Sequence, residues 1–167
     1  MPDMLVKLYN LPPLAPLLDR QRGHGIEIRR AMAPEKRIII DWVARHWGAG
    51  WASECEVAFA RLPITCWIAV AEGRPLGFAC HDATLPNFFG PTGVLDECQG
   101  RGTGAALLVA ALQAMADAGY AYAIIGGVGP AEFYSRVAGA VLIEDSTPGP
   151  YRGLIGEPPA EGAGDDA

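Results

Sequence analysis

The apolar and polar positions along the chain change period several times, and each change predicts an element. Residues 25–30, Gly-Ile-Glu-Ile-Arg-Arg, alternate apolar and charged side chains, the period of a half-buried strand. From Pro34 the period lengthens. Ile39, Trp42, Val43 and His46 recur at helical spacing, Pro34 suits a first helical turn, and Glu35 faces the positive end of the helix dipole. Gly48 and Gly50 close that helix, and residues 51–61 predict a second, shorter one stopped by Pro63. Residues 64–71 and 76–83 are β-prone runs around Glu72-Gly73-Arg74-Pro75, which predicts an antiparallel hairpin. After a linker containing Pro86, Gly90 and Pro91, a further strand is expected to end near Val94 and Leu95. Residues 104–118 are nearly all Ala, Leu, Val and Met and are followed by Gly119, the pattern of a buried helix with a glycine stop. A strand over 120–126, a helix over 130–137 opened by Pro130, and a strand over 140–144 complete the series. At the start of the chain, residues 4–11 alternate loosely as a first strand, and Pro12, Pro13 and Pro16 are expected to break any regular continuation.

This order mixes antiparallel pairs with crossover helices, so the fold class is α+β, or mixed α/β. Length agrees with a single domain over residues 1–155, large enough to close its own core. From residue 156 onward Gly, Pro, Ala and acids dominate, and a disordered acidic tail is expected over 156–167. That tail changes the reading of charge. Thirteen basic residues face 19 acidic ones, a net of −6, but four of the acids are Glu157, Glu161, Asp165 and Asp166, so the body carries only −2. No basic surface calls for nucleic acid. Gln113 and Asp117 interrupt the most apolar tract before it reaches the roughly 18 residues of a membrane span. Cys55, Cys66, Cys80 and Cys98 include no Cys-x-x-Cys pair; reduced thiols, no secretory leader ahead of Met1–Asn10 and a cytoplasmic location are expected.

One loop carries candidate chemistry. Gln99-Gly100-Arg101-Gly102-Thr103-Gly104 joins a strand to the apolar helix, so several backbone N–H groups without intrahelical partners point out of the turn beside a positive helix end. Such a turn suits a phosphate or diphosphate. Glycines let the ligand approach the backbone and let φ become positive, and Arg101 adds a charge at the rim. Gly100–Ala105 also satisfies a permissive dinucleotide fingerprint, yet no acid lies about 20 positions on to hold a ribose. A triphosphate loop is excluded because Ala105 and Ala106 follow Gly104 where Lys and Ser or Thr are needed. A tight turn with glycines present only for packing is the bland alternative.

Val94, Gln99, Gly102 and Gly104 resemble, in type and spacing, the signature of the GNAT superfamily of N-acetyltransferases: a strand residue, then Gln/Arg-x-x-Gly-x-Gly/Ala, then a helix. Glu132-Phe133-Tyr134-Ser135-Arg136 resembles that family's late-helix motif, and the likeness runs from about Ile26 to Leu154. Two positions depart from it: Asp96 stands where a proline is frequent, and Gly127 where an asparagine often ends the strand before the last helix. The resemblance implies a central mixed, mostly antiparallel sheet flanked by helices. It implies acetyl-CoA as co-substrate, with a diphosphate held by Gln99, Gly100, Arg101, Gly102, Thr103 and Gly104. Amides around Val94 and Leu95 would hold the thioester carbonyl and pantetheine arm, and Tyr134 would protonate the leaving thiolate. The reaction so implied is direct transfer, in a ternary complex, of an acetyl group to a primary amine on a small molecule or peptide. Homodimers paired through late strands are common in the family.

A base to deprotonate the amine is not evident. Residues 87–95 contain no carboxylate, so His81 and Asp82, Glu97 or a water chain stand as alternatives. Trp47 and Trp51 flank the joint between the first two predicted helices and either line an acceptor cleft or anchor the core. Cys98 beside Gln99 invites an acyl-enzyme, but no histidine is placed in sequence to activate it. No metal site is expected, since His81 and Cys80 lack a second ligand pair at zinc spacing. A catalytically silent acyl-CoA-binding module is the alternative to an enzyme.

Overall fold

A computed structural model describes residues 1–156. The expected acidic tail, from 157 on, lies outside them. Among the described residues are seven strands: β1 (Met4–Lys7), β2 (Glu27–Arg30), β3 (Cys66–Ala71), β4 (Arg74–His81), β5 (Phe88–Val94), β6 (Tyr122–Ile125) and β7 (Val141–Leu142). They form one sheet in the order β2-β3-β4-β5-β6-β1-β7, antiparallel except for the β5–β6 pair. Five helices flank it: α1 (Leu14–Gly23), α2 (Lys36–Trp47), α3 (Ala49–Ala60), α4 (Thr103–Asp117) and α5 (Ala131–Ala138). This is the mixed, mostly antiparallel α/β class expected from the sequence.

Each face of the sheet has its own core. On one, α4 buries Leu107, Leu108, Leu112 and Met115 against β1, β4 and β6, and each fully buried leucine contributes about 1.5–3 kcal/mol of transfer free energy. On the other, α2 and α3 pack Trp42, Val43, Cys55 and Phe59 against Ile68, Phe78 and Cys80. Strand β4 lies between both layers, which is why Phe78-Ala79-Cys80 is buried without alternation. No helix among the described residues is long and apolar enough to cross a membrane.

The N-terminal segment differs most from expectation. The loose strand shortens to β1, and a helix, α1, follows where prolines were expected to prevent regular structure. Pro13 serves as its N-cap and Pro16 sits in its first turn, where the amide has no intrahelical partner to lose. Strand β1 then pairs with β6 on one side and β7 on the other, placing the start of the chain inside the sheet. Gly90 and Pro91, expected in a linker, belong to β5; the antiparallel ladder to β4 shifts register between Ala79 and His81 to admit this segment. The last strand contracts to Val141–Leu142, and a single 3-10 turn over Ala33–Glu35 precedes α2.

Candidate functional site

The parallel pair β5–β6 is short. Only Phe88↔Ile124 and Phe89↔Ile125 are in register; beyond them β5 continues beside β4 alone and the two strands part. A cavity of about 1110 Å³ fills the gap and runs past the N-terminus of α4 toward α3. The Leu95 N–H donates to the Leu76 carbonyl at 2.9 Å. By antiparallel alternation, Val94, opposite Gly77, turns its own N–H and C=O away from β4 and toward the gap, as does Thr92. Of the two amides expected near the thioester, Leu95 is therefore committed to the sheet and only Val94 faces the cavity.

The glycine loop ends at the same opening. The Gln99 amide is spent in a 3-10 turn, donating to the Asp96 carbonyl at 3.2 Å, and its side chain bonds Asp96 Oδ1 at 2.8 Å. The amides of residues 100–105 donate to no backbone carbonyl; the last three open helix α4, where none is available. Gly102 caps that helix at φ 80°, a conformation that favours glycine. The loop thus presents a row of free N–H groups on the positive end of a 15-residue helix, an arrangement that can hold a diphosphate.

Helix α1 holds this loop in place. Gln21, with only 1% of its surface exposed, donates from Nε2 to the Arg101 carbonyl at 2.9 Å and accepts from the Thr103 hydroxyl at 2.8 Å. One residue earlier, Arg20 lines the cavity, and a methyl group added at Gly102 would come within 3.7 Å of its guanidinium carbon. Arg101, the rim cation suggested by the sequence, is exposed and does not line the cavity. Neither Arg20 nor Gln21 was legible beforehand, because both lie in the helix that the prolines concealed.

On the far wall, Tyr134 of α5 is buried between Phe89 and Phe133, with ring centroids 6.3 and 5.1 Å away. Burial raises its pKa above the ordinary tyrosine value, so the hydroxyl stays protonated through the neutral range. Gly127, which stands where the family often has an asparagine, lines the cavity, but its N–H is not free for a ligand: it donates to Asp3 Oδ1 at 2.8 Å. Cys98 is buried at the cavity edge with no histidine beside it among the lining residues.

The other candidates separate. Trp51 lines the cavity and stacks on Trp47 with ring centroids 6.2 Å apart, whereas Trp47 packs inward against Phe78 and over Gly93. One tryptophan therefore faces the cleft and the other anchors the core. Glu97 is exposed and outside the cavity. His81 and Asp82, expected at an exposed strand end, are buried and line a different cavity of about 220 Å³ with Arg30, Arg61 and Tyr120. That cavity meets α4 at Ala114 and its C-cap Ala118, whereas the large one meets the helix no further along than Leu108, about 9 Å away at 1.5 Å per residue. His81 Nδ1 lies 2.8 Å from Asp82 Oδ2, and Asp82 also accepts from Asn87 N–H and the Tyr120 hydroxyl. The pair thereby fixes the β4–β5 turn, where Asp82 sits at φ 53°. Burial lowers the His81 pKa.

Sequence reading also missed Glu54. It shares the cavity-facing side of α3 with Trp51, one turn earlier, and the Thr84 hydroxyl donates to its Oε1. Burial raises its pKa above the ordinary carboxylate value.

The fold, with its diverging parallel strand pair and a glycine turn opening an apolar helix, is that of the GCN5-related N-acetyltransferases. It resembles the GCN5-related glucosamine N-acetyltransferase region of a fungal multi-domain GH3 β-N-acetylglucosaminidase, with a TM-score of 0.69 and 17% identity over 85% of this chain and 19% of that one. It also resembles a GCN5-related N-acetyltransferase from Sphaerobacter thermophilus, with a TM-score of 0.67 and 20% identity over 85% of this chain and 48% of that one. The chain spans less than half the length of either. No protein-family model and no curated protein matches the sequence.

Proposed function

We propose that the chain is an N-acyltransferase that moves an acetyl group from acetyl-CoA to a primary amine, directly, in a ternary complex. The observation that carries this reading is the row of unpaired amides at residues 100–105, which opens onto the same cavity as Tyr134. The loop amides and Arg20 hold the diphosphate. The Val94 N–H, facing the gap between β5 and β6, holds the thioester carbonyl as negative charge grows on its oxygen. The Tyr134 hydroxyl then supplies a proton to the leaving thiolate, a role suited to a phenol that burial keeps protonated. The fold shared with acetyltransferases supports the reading, and its likeness to a glucosamine N-acetyltransferase region makes glucosamine a sensible member of an acceptor panel. The four cysteines are free thiols, as a reducing compartment such as the cytoplasm would keep them.

A silent acyl-CoA-binding module would share the coenzyme site and lack turnover. Calorimetric titration with acetyl-CoA and NAD, followed by thiol release with an amine panel, separates the readings. Acetyl-CoA is expected to bind in preference to NAD and to release thiol with at least one amine. Preference for NAD would overturn the site assignment, and tight acetyl-CoA binding with no acceptor across the panel would favour the silent module.

A further inference from the structure

Resting on that reading, we infer that Glu54 binds the acceptor's ammonium group and takes its proton, and that the acceptor is a primary amine carried on a flat or apolar body that lies against Trp51. Glu54 is a carboxylate without a counter-ion. It is half-buried on the wall of the large cavity, and no ion pair joins it to any Lys, Arg or His or to the α-amino group of Met1 among the described residues. A carboxylate removed from water in this way loses stability unless a cation or a set of donors reaches it. Among the described residues its one side-chain donor is the Thr84 hydroxyl, on Oε1, which leaves Oε2 for a ligand. The charged or titratable groups on the same cavity are Met1, with its α-amino group, Arg20 and Arg136, near the loop and α5, together with Tyr134, Tyr151 and Cys98; Cys55 adjoins Glu54 in the chain. Burial, then the charges of Asp3 and Glu54, raise the pKa of Tyr151, so it stays a neutral hydroxyl through the neutral range.

Trp51 gives this position its selectivity. It lies one turn from Glu54, is 36% exposed, and is held by stacking on Trp47, whose indole in turn fits over Gly93. An ammonium held by Glu54 places the rest of its molecule against that ring, where apolar contact and cation–π attraction both favour it.

Protons balance over the reaction. The ammonium passes one proton to Glu54, and the freed lone pair attacks the thioester carbonyl carbon, forming the C–N bond. As the C–S bond breaks, the thiolate takes a proton from Tyr134. The tyrosinate recovers it from the nitrogen, which becomes a neutral amide, and Glu54 releases its proton to solvent.

The test uses Glu54→Gln and Thr84→Val in the full chain, with 2-phenylethylamine and 2-phenylethanol as probes. Binding of each probe without coenzyme is read by tryptophan fluorescence, coenzyme affinity by calorimetry, and kcat/KM as a function of pH. Wild type should bind the amine at least tenfold more tightly than the alcohol, and Glu54→Gln should remove that preference while acetyl-CoA affinity stays within twofold. Activity depends on ionised Glu54, so kcat/KM should rise with pH through a limb above the usual carboxylate range. Glu54→Gln should lower kcat/KM at least 100-fold and abolish the limb. Thr84→Val removes a donor that favours the charged form and should move the limb upward. Equal affinity of wild type for amine and alcohol, or an intact acid limb in Glu54→Gln, would overturn the inference. Failure to bind acetyl-CoA with amine selectivity intact would instead count against the coenzyme reading alone.

Discussion

Replacing Gln21 by Leu should damage the glycine loop from a distance, because this side chain ties the loop to α1. The substitution keeps the volume similar and removes two hydrogen bonds, leaving the Arg101 carbonyl and the Thr103 hydroxyl without their partner. Thr103 is 1% exposed, so water does not readily replace the lost contact. An orphaned buried polar group costs about 1–3 kcal/mol, and the added apolar area of Leu offsets part of two such losses. A net loss of about 3 kcal/mol is expected, equivalent to a fall in Tm of roughly 6–12 °C for a domain of this size. Coenzyme affinity should fall about tenfold or more, since the free amides of residues 100–105 would no longer be held in one arrangement before binding. Chemical denaturation gives the first quantity and calorimetry the second. Adding Thr103→Val removes the orphaned hydroxyl, so the double variant should recover about 1 kcal/mol relative to Gln21→Leu alone, a coupling that a double-mutant cycle reads directly. Unchanged stability and affinity in Gln21→Leu, or strictly additive effects in the cycle, would refute the claim that α1 positions the loop.

The remaining expectations concern single contacts. Gly93→Ala would place a methyl group 2.6–2.7 Å from the Trp47 indole, and should cost about 1–3 kcal/mol of stability and alter the near-ultraviolet dichroism of the Trp47–Trp51 stack. Arg20→Ala should weaken acetyl-CoA about tenfold and flatten the salt dependence of binding, while Arg101→Ala should change affinity by no more than about twofold. Tyr134→Phe should lower kcat by about 10²–10⁴ with coenzyme affinity unchanged; undiminished turnover would place the acid elsewhere.

The loop was legible because its chemistry is local: glycines, a preceding strand and a following apolar helix occupy consecutive positions, and the free amides follow from helix geometry alone. The central helix and the β3–β4 hairpin were legible for the same reason. What supports the loop was not, since Gln21 lies 80 residues from Arg101 in sequence and meets it only after folding. Helix α1 was also masked by prolines that its first turn tolerates. His81 and Asp82 depart from expectation in their burial. As adjacent ionisable residues they suggested chemistry, yet their neighbours make them a buried brace for a turn. Glu54 carried no local signal apart from its spacing of three residues from Trp51, and its raised pKa arises from burial that only the packed α3 creates.

The central claim is that the amides following Gln99 hold the diphosphate of acetyl-CoA. Amide chemical shifts of Gly100, Gly102 and Gly104, followed by NMR during titration with the coenzyme, test it most directly. The account predicts that these three glycines move furthest and saturate together with the calorimetric binding curve. Saturable binding that leaves all three unmoved, with the largest shifts at another part of the surface, would contradict it.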